Sequence, residues 1–274
     1  MRFRTPTTLA SALMLALGML WSTTASGSAA TDFPWPPSPW AESEATEDGR
    51  SSDPPVESMA TIVRKGRAAS GAVALTFDDG YNRKACARIT NILRKHEAVG
   101  TFFVNGQWLR REPERWRSIL EGMEVANHTR SHRNLTREPH PVVMRQIRTN
   151  EAIHERVLGR PMLKLLRPPY GAQGERVGRI AGQLGYEHMV LWNVDTQDWR
   201  PDSKARRIIR RATDAAPGSI VLMHCARNAT ARALPAIIRH YQRRGIAVAG
   251  LSTVLAGARS EQPGKARDEG YGGA

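Results

Sequence analysis

Two aspartates stand side by side in TFDDG (76–80), and two histidines stand four residues apart in HTRSH (128–132). Adjacent carboxylates repel, so something has to offset keeping Asp78 and Asp79 together behind the apolar run VALTF. A divalent cation would do so. His128 and His132, at i and i+4, fall on one face of a helical turn and can hold one ion between them. A carboxylate from the other segment, Asp79 or Asp78, completes a facial set of three ligands with positions left open for water and substrate. Neighbouring side chains diverge in an extended segment, which leaves the second aspartate to face the water. The chemistry of such a set is metal-assisted hydrolysis.

Three further stretches supply what that chemistry needs. In LRPPYG, two prolines stiffen the backbone behind Arg167, whose guanidinium can keep a carboxylate ionised and oriented, and the Tyr170 main-chain N–H can meet an oxyanion. WNVDTQDW brings together Asp195, Asp198 and the Trp199 indole; indoles stack on sugar rings, and a carboxylate beside a histidine raises its pKa and fixes its tautomer. SIVLMH ends on His224, which becomes a general acid if Asp195 or Asp198 lies against it. Each string alone also fits a turn, a cap or a polar surface. Their joint placement carries the functional reading.

That placement depends on the elements between them. Short apolar runs at 73–77, 100–104, 123–126, 163–166, 188–192, 219–223 and 246–249 alternate with amphipathic stretches such as NRKACARITNILRKHEA, VVMRQIRTNEAIHERVLG and ATARALPAIIRHYQRR. Continuous apolar runs separated by helix-length connections indicate parallel strands buried on both faces. Seven such units predict one α/β domain, either a closed or nearly closed barrel or an open doubly wound sheet. Asp78 and Asp79, Asn127 and His128, Arg167, Asp195 and His224 all fall at or near the C-terminal end of a predicted strand. Those ends form the active face of either architecture.

The rest of the 274 residues places the domain. Residues 1–30 have a basic start, a short apolar centre and a small-residue exit, which predict a secretory signal peptide and a mature chain with no stable membrane span, exported to the periplasm or the extracellular space. Residues 31–66 begin rich in Pro, Ser and acidic residues and read as a disordered linker; 67–258 hold the domain, and 259–274 read as a flexible tail. Of 40 Lys+Arg and 26 Asp+Glu, 37 basic and 19 acidic residues follow position 60. So basic a surface suits an anionic cell-wall polymer; no nucleic-acid motif is present and no nucleic-acid partner is expected. The sequence leaves open whether Cys86 and Cys225 pair.

TFDDG (76–80), HTRSH (128–132), RPPYG (167–171), DTQDW (195–199) and LMH (222–224) together resemble, in order and spacing, the five motifs of the polysaccharide deacetylases, carbohydrate esterase family 4, with its NodB homology domain. The resemblance spans about 72–251 and implies a distorted (β/α)7-type barrel, a single catalytic domain, and metal-dependent removal of acetyl groups from N-acetylated polysaccharides or oligosaccharides. It implies Asp78 as base; Asp79, His128 and His132 as metal ligands; and Arg167 as the residue that positions the base. It further implies Tyr170 as the main-chain oxyanion contact, His224 as acid, Leu222 as an apolar wall for the acetyl methyl, and Asp198 and Trp199 around the acid, with Asp195 as the alternative contact. Zinc is the expected ion, with cobalt, nickel, manganese or iron also suited to two imidazoles and a carboxylate. Peptidoglycan and chitin-type oligomers are the expected substrates, and the chain is expected to act as a monomer. An O-acetyl esterase of the xylan type and a non-catalytic glycan-binding protein are the alternatives on the same fold. Ala126 and Cys225 depart from the common glycine and acidic residue at those positions, and neither removes a reacting group.

Overall fold

Parallel strands cannot be joined by tight turns, so each apolar run must be followed by a segment long enough to cross back over the sheet. In the computed structural model, which describes residues 59–256, this gives nine strands. They are β1 (Thr61–Val63), β2 (Ala72–Asp79), β3 (Thr101–Val104), β4 (Glu124–Asn127), β5 (Leu163–Leu166), β6 (His188–Val190), β7 (Val194–Asp195), β8 (Ile220–His224) and β9 (Ala247–Ala249). The helices are α1 (Arg83–Lys95), α2 (Gly106–Leu109), α3 (Pro113–Leu120), α4 (His140–Leu158), α5 (Glu175–Gln183), α6 (Ala205–Ala212), α7 (Asn228–Arg243) and α8 (Leu251–Leu255).

Every pairing between these strands is parallel, in the order β1-β6-β5-β4-β3-β2-β8-β7, with β9 also on β2. The sheet curls into the expected distorted (β/α)7-type barrel rather than an open doubly wound sheet. An isolated antiparallel bridge between Lys65 and Ser219 ties the segment after β1 to the start of β8.

The period of two along each strand divides its side chains between two cores. Val73, Leu75 and Phe77 of β2 and Val221 and Met223 of β8 pack outward with Ile89 and Leu93 of α1 and Leu234 and Ile237 of α7. Their alternates Ala72, Ala74 and Ile220 point inward with Phe103 and Ala126, and Leu251 and Val254 of α8 join them. The Leu251 N–H donates to Thr101 Oγ1 at 2.9 Å, which places α8 at the N-terminal end of the strands as a plug. Each large apolar side chain buried this way contributes roughly 1.5–3 kcal/mol. Continued toward the C-terminal end, the inward series reaches Thr76 and Asp78 on β2, and Leu222 and His224 on β8.

Three sequence expectations change. β1 lies inside 31–66, so the ordered domain begins earlier than the linker reading put it; the three-residue run TIV was too short to stand out beside a Pro- and Ser-rich stretch, and pairing with β6 holds it. β6 ends at Val190 instead of Trp192, and a short β7 follows it. Residues 128–132 form no helical turn. The 1–30 signal peptide, the first part of the 31–66 linker and the 259–274 tail lie outside the described residues. Among the described residues, no helix is long and apolar enough to cross a membrane.

Candidate active site

Strand alternation alone would send Asp78 and Asp79 to opposite faces of the sheet. Asp78 continues the inward series of β2, and its register partner on β8 is His224. Asp79 adopts a left-handed backbone, φ 75°, which breaks the alternation and swings its carboxylate back toward the same rim. Gly80 follows at φ 115°, where a Cβ would stand 2.8 Å from the Val104 side chain and 3.2 Å from the Trp116 ring. The glycine of TFDDG therefore allows the turn that aims Asp79.

Arg167 is fully buried beneath Asp78. Its Nη1 donates to Asp78 Oδ1 at 2.6 Å and to Thr76 Oγ1 at 2.9 Å; Nε donates to the Val190 carbonyl at 3.2 Å, and the guanidinium lies 4.1 Å over the Phe103 ring. A buried cation so fully engaged cannot move with its partner, so it fixes the Asp78 rotamer. Burial pushes the Asp78 carboxyl above the ordinary 3.8, and the Arg167 charge pulls it part of the way back. The result is a stronger base than a solvated aspartate.

The two histidines meet Asp79 by a route other than a shared helical face. Asn127 Oδ1 accepts from the Thr129 N–H at 2.8 Å; Thr129 and His132 are both left-handed, φ 67° and 60°, and Thr129 Oγ1 accepts from the His132 N–H at 3.2 Å. This knot turns both imidazoles inward. His128 Nε2 lies 3.7 Å and His132 Nε2 3.4 Å from Asp79 Oδ1, and one ligand atom from each of the three residues lies within 4.8 Å of the others. His128 Nδ1 is 2.7 Å from the Arg167 carbonyl, which can only accept, so Nδ1 carries the proton and Nε2 presents its lone pair to the cluster. Burial, then the neighbouring His132, pushes the His128 pKa down to about 3, which keeps that lone pair available. Two imidazoles and a carboxylate, with the His128 ring oriented by a carbonyl behind it, fit a divalent cation of the zinc class.

Asp198, and not Asp195, is the partner of His224. His224 Nδ1 lies 2.7 Å from Asp198 Oδ1, and the His224 N–H donates to Asp198 Oδ2 at 2.8 Å; the Thr230 hydroxyl donates to the same oxygen. Burial alone would lower the His224 pKa, but the Asp198 charge and hydrogen bond, with Asp79 and Asp78 behind them, raise it to about 9. The imidazole is a cation at neutral pH, its Nδ1 occupied and its Nε2 proton left to donate. Asp195 instead closes its own turn, accepting from the Gln197 N–H at 2.7 Å and from Trp199 Nε1 at 3.4 Å. Leu222 is buried on the His224 face of β8, and Tyr170, left-handed at φ 63°, is half exposed with its ring edge-on to His132 at 4.6 Å.

Sequence reading missed the residues that hold this rim together. Asn105 donates its N–H to the Asp79 carbonyl at 3.0 Å and its Nδ2 to the carbonyls of His128 at 2.6 Å and Thr129 at 3.3 Å. One buried side chain thus ties the strand end of one ligand to the loop of the other two. From α4, Gln146 Oε1 accepts from the Ser131 N–H and Oγ, and Asn150 Nδ2 donates to Asn127 Oδ1. Asn105 follows an apolar run in TFFVNG, the same signal that singled out Asp78; the α4 residues carry no such signal. Cys86 and Cys225 form a disulfide, Cα–Cα 4.6 Å, between α1 and the residue after His224, and the Cys225 N–H donates to the Asp78 carbonyl at 3.0 Å.

Comparison with known proteins places the chain by family and fold. The family model "Polysaccharide deacetylase" matches residues 65–189. A chitooligosaccharide deacetylase of Bradyrhizobium is 33% identical over 65% of this chain and 87% of its own length. The peptidoglycan-N-acetylmuramic acid deacetylase PdaC of Bacillus subtilis is 35% identical over 63% of this chain but 36% of its own, so the chain spans about a third of that relative's length. Among solved structures, a carbohydrate esterase family 4 pseudoenzyme from Bacillus anthracis superposes with a TM-score of 0.67 at 26% identity, covering 74% of this chain and 72% of its own. Because that relative is described as a pseudoenzyme, the fold alone does not establish turnover, and the reacting groups have to be read in each chain.

Proposed function

The chain belongs to the polysaccharide deacetylase family, and from that premise we propose that it is an exported, divalent-metal-dependent hydrolase that removes acetyl from the acetamide of N-acetylated sugars in a peptidoglycan- or chitin-type polymer. The observation that carries the reading is the convergence, on the C-terminal ends of β2, β4 and β8, of the Asp79–His128–His132 cluster, the Arg167-held Asp78 and the Asp198-held His224. Asp79, His128 and His132 would hold the ion, zinc first among the metals that suit them. When bound, it supplies Lewis acidity, polarising the acetamide carbonyl and making water more acidic.

The chain's own residues do the rest. Asp78, with Oδ1 anchored to Arg167, takes the proton of the attacking water on Oδ2, which lies 3.8 Å from His128 Nε2 and so on the cluster side. The hydroxide adds to the acetamide carbon, and the Tyr170 main-chain N–H is assigned to the oxyanion. His224 then delivers its Nε2 proton to the departing amine as the C–N bond breaks, while Asp198 keeps the imidazolium oriented. Acetic acid, which ionises to acetate in water, and a free amino sugar leave, with Asp78 protonated and His224 neutral; proton exchange with solvent restores both. Leu222 lines the acetyl methyl, and Trp199 with Asp195 flanks the acid. Tyr81 and Tyr170, the exposed large apolar side chains among the described residues, both border the cluster and offer flat faces to sugar rings.

Export is supported by the Cys86–Cys225 disulfide, which persists in oxidising compartments. The test is acetate release from peptidoglycan, chitin oligomers and acetylated xylan, with and without a chelator. Release from the first two, abolished by chelation and restored by zinc, is expected. Undiminished release by Asp78→Asn removes the assigned base, and release from xylan alone replaces the N-deacetylase reading with the O-acetyl esterase one.

A further inference from the structure

The helices surrounding the barrel pack in the sequence α6, α7, α1, α3, α4, α5, and their charge divides along that ring. The half made of α6, α7 and α1 carries twelve Lys and Arg and no Asp or Glu. The half made of α3, α4 and α5 carries both signs: Glu114, Glu151, Glu155 and Glu175 stand among seven arginines. On the first half Lys84, Arg88, Arg210, Arg232 and Arg239 are exposed and make no ion pair among the described residues. The acidic residues nearest in sequence, Glu97, Asp202 and Asp214, sit outside the helices. A solvated helical face ordinarily interleaves both signs, since unpaired like charges repel.

This face is continuous with the rim of the site. α1 begins four residues after Asp79 and α7 four residues after His224, and Arg88 Nη1 of the first donates to Asn228 Oδ1 at the start of the second. We propose that the α6–α7–α1 face is a docking surface for a carboxylate-bearing glycan strand, the anionic part of the same polymer that presents its acetamide to the rim; the choice of polymer rests on the deacetylase reading above. Seven of the nine cations on α1 and α6 and all three on α7 are arginines, and arginine pairs with carboxylates bidentately. A bilayer is disfavoured as occupant because none of the exposed large apolar residues lies on these helices. Single-stranded nucleic acid is disfavoured because the same lack leaves nothing to stack bases.

The test uses oligogalacturonate, which offers carboxylates and no acetamide, so its binding is independent of turnover. A face variant, Lys84→Gln/Arg88→Gln/Arg232→Gln/Arg239→Gln, is compared with a variant losing the same charge on the other half, Arg115→Gln/Arg145→Gln/Arg148→Gln/Arg156→Gln. Binding by fluorescence anisotropy is expected to weaken at least tenfold in the first, less than threefold in the second, and to fall with salt in the wild type. Acetate release from neutral chitin oligomers should be equal in all three. Should the face variant not fold, Arg232→Gln/Arg239→Gln is measured in the same way, with about a threefold loss expected. Equal loss in both quadruple variants would reduce the effect to net charge and overturn the proposal, as would no loss in either. Tighter, equally face-dependent binding of phosphatidylglycerol vesicles or of DNA would overturn the glycan as occupant.

Discussion

Replacing Asp198 by Asn separates the acid role of His224 from its mere presence. The substitution keeps the shape but removes the charge touching Nδ1, and it leaves one of the three donors that Asp198 accepts, from the His224 N–H, the His224 ring and Thr230, facing an amide N–H. Without that carboxylate, burial dominates, and the imidazole pKa should fall from about 9 to at or below the ordinary 6.5. At pH 8 the protonated fraction then drops from about 90% to about 3%, a roughly 30-fold loss of acid, while near pH 5.5 the two forms differ little. The alkaline limb of kcat/KM for acetate release should move down by about two pH units or more, and an NMR titration of the His224 ring should move with it. Asp78 and Asp79 add to the native value, and a bound cation weakens their share but not that of Asp198, which the ring touches. The same linkage appears in stability. A histidine raised from 6.5 to about 9 stabilises the fold fully below pH 6.5 and loses that contribution as pH rises through 9, about 3 kcal/mol in all. An alkaline limb that stays near 9 in Asp198→Asn would refute the assignment of His224 as an Asp198-tuned acid.

Three other perturbations probe the remaining parts. Arg167→Met strands Asp78 as a buried carboxylate and should cost about 3–5 kcal/mol in urea unfolding at pH 7.5; the deficit should shrink as pH falls and Asp78 protonates, and a pH-independent deficit would contradict the pairing. Asn105→Ala removes the clamp between the Asp79 strand and the His128 loop, so zinc affinity by calorimetry should weaken about 10–100-fold while the metal-free circular dichroism spectrum is retained; unchanged affinity would count against the clamp. Cys86→Ser/Cys225→Ser releases a link across a sequence separation of 139 residues and should lower stability by about 2–5 kcal/mol, measured against the wild type under oxidising conditions.

Much of the barrel could be read from the chain because parallel strands buried on both faces leave continuous apolar runs. Leu163–Leu166 coincides with its strand, and β2, β3, β4, β8 and β9 differ from the reading at their ends only. Strands without such a run went unread. β1 is three residues and β7 two, and both exist because a neighbour supplies their hydrogen bonds, β6 for the first and β8 for the second. The Asp195 or Asp198 ambiguity has a similar origin. The two carboxylates stand three residues apart at the end of β7, and what separates them is which one faces the β8 end and which one accepts from its own Gln197.

The site was legible in its residue types but not in its backbone. Among the described residues, six that are not glycine have a positive φ: Asp79, Glu97, Thr129, His132, Tyr170 and Gln197. All but Glu97 belong to the Asp79–His128–His132 cluster or to the segments beside it and beside His224. Each such residue costs on the order of 1–3 kcal/mol and persists only where its surroundings over-determine it. Those surroundings are visible: Asn105 on Asp79, Asn127 on Thr129, Thr129 on His132, and Asp195 on Gln197. Spacing on a helix picked out two histidines that the structure brings together by another route, because i and i+4 neighbours can also be brought together by two left-handed residues. The strain therefore has a direction. It overrides strand alternation at Asp79, the regular pattern that would otherwise carry its carboxylate away from the two imidazoles.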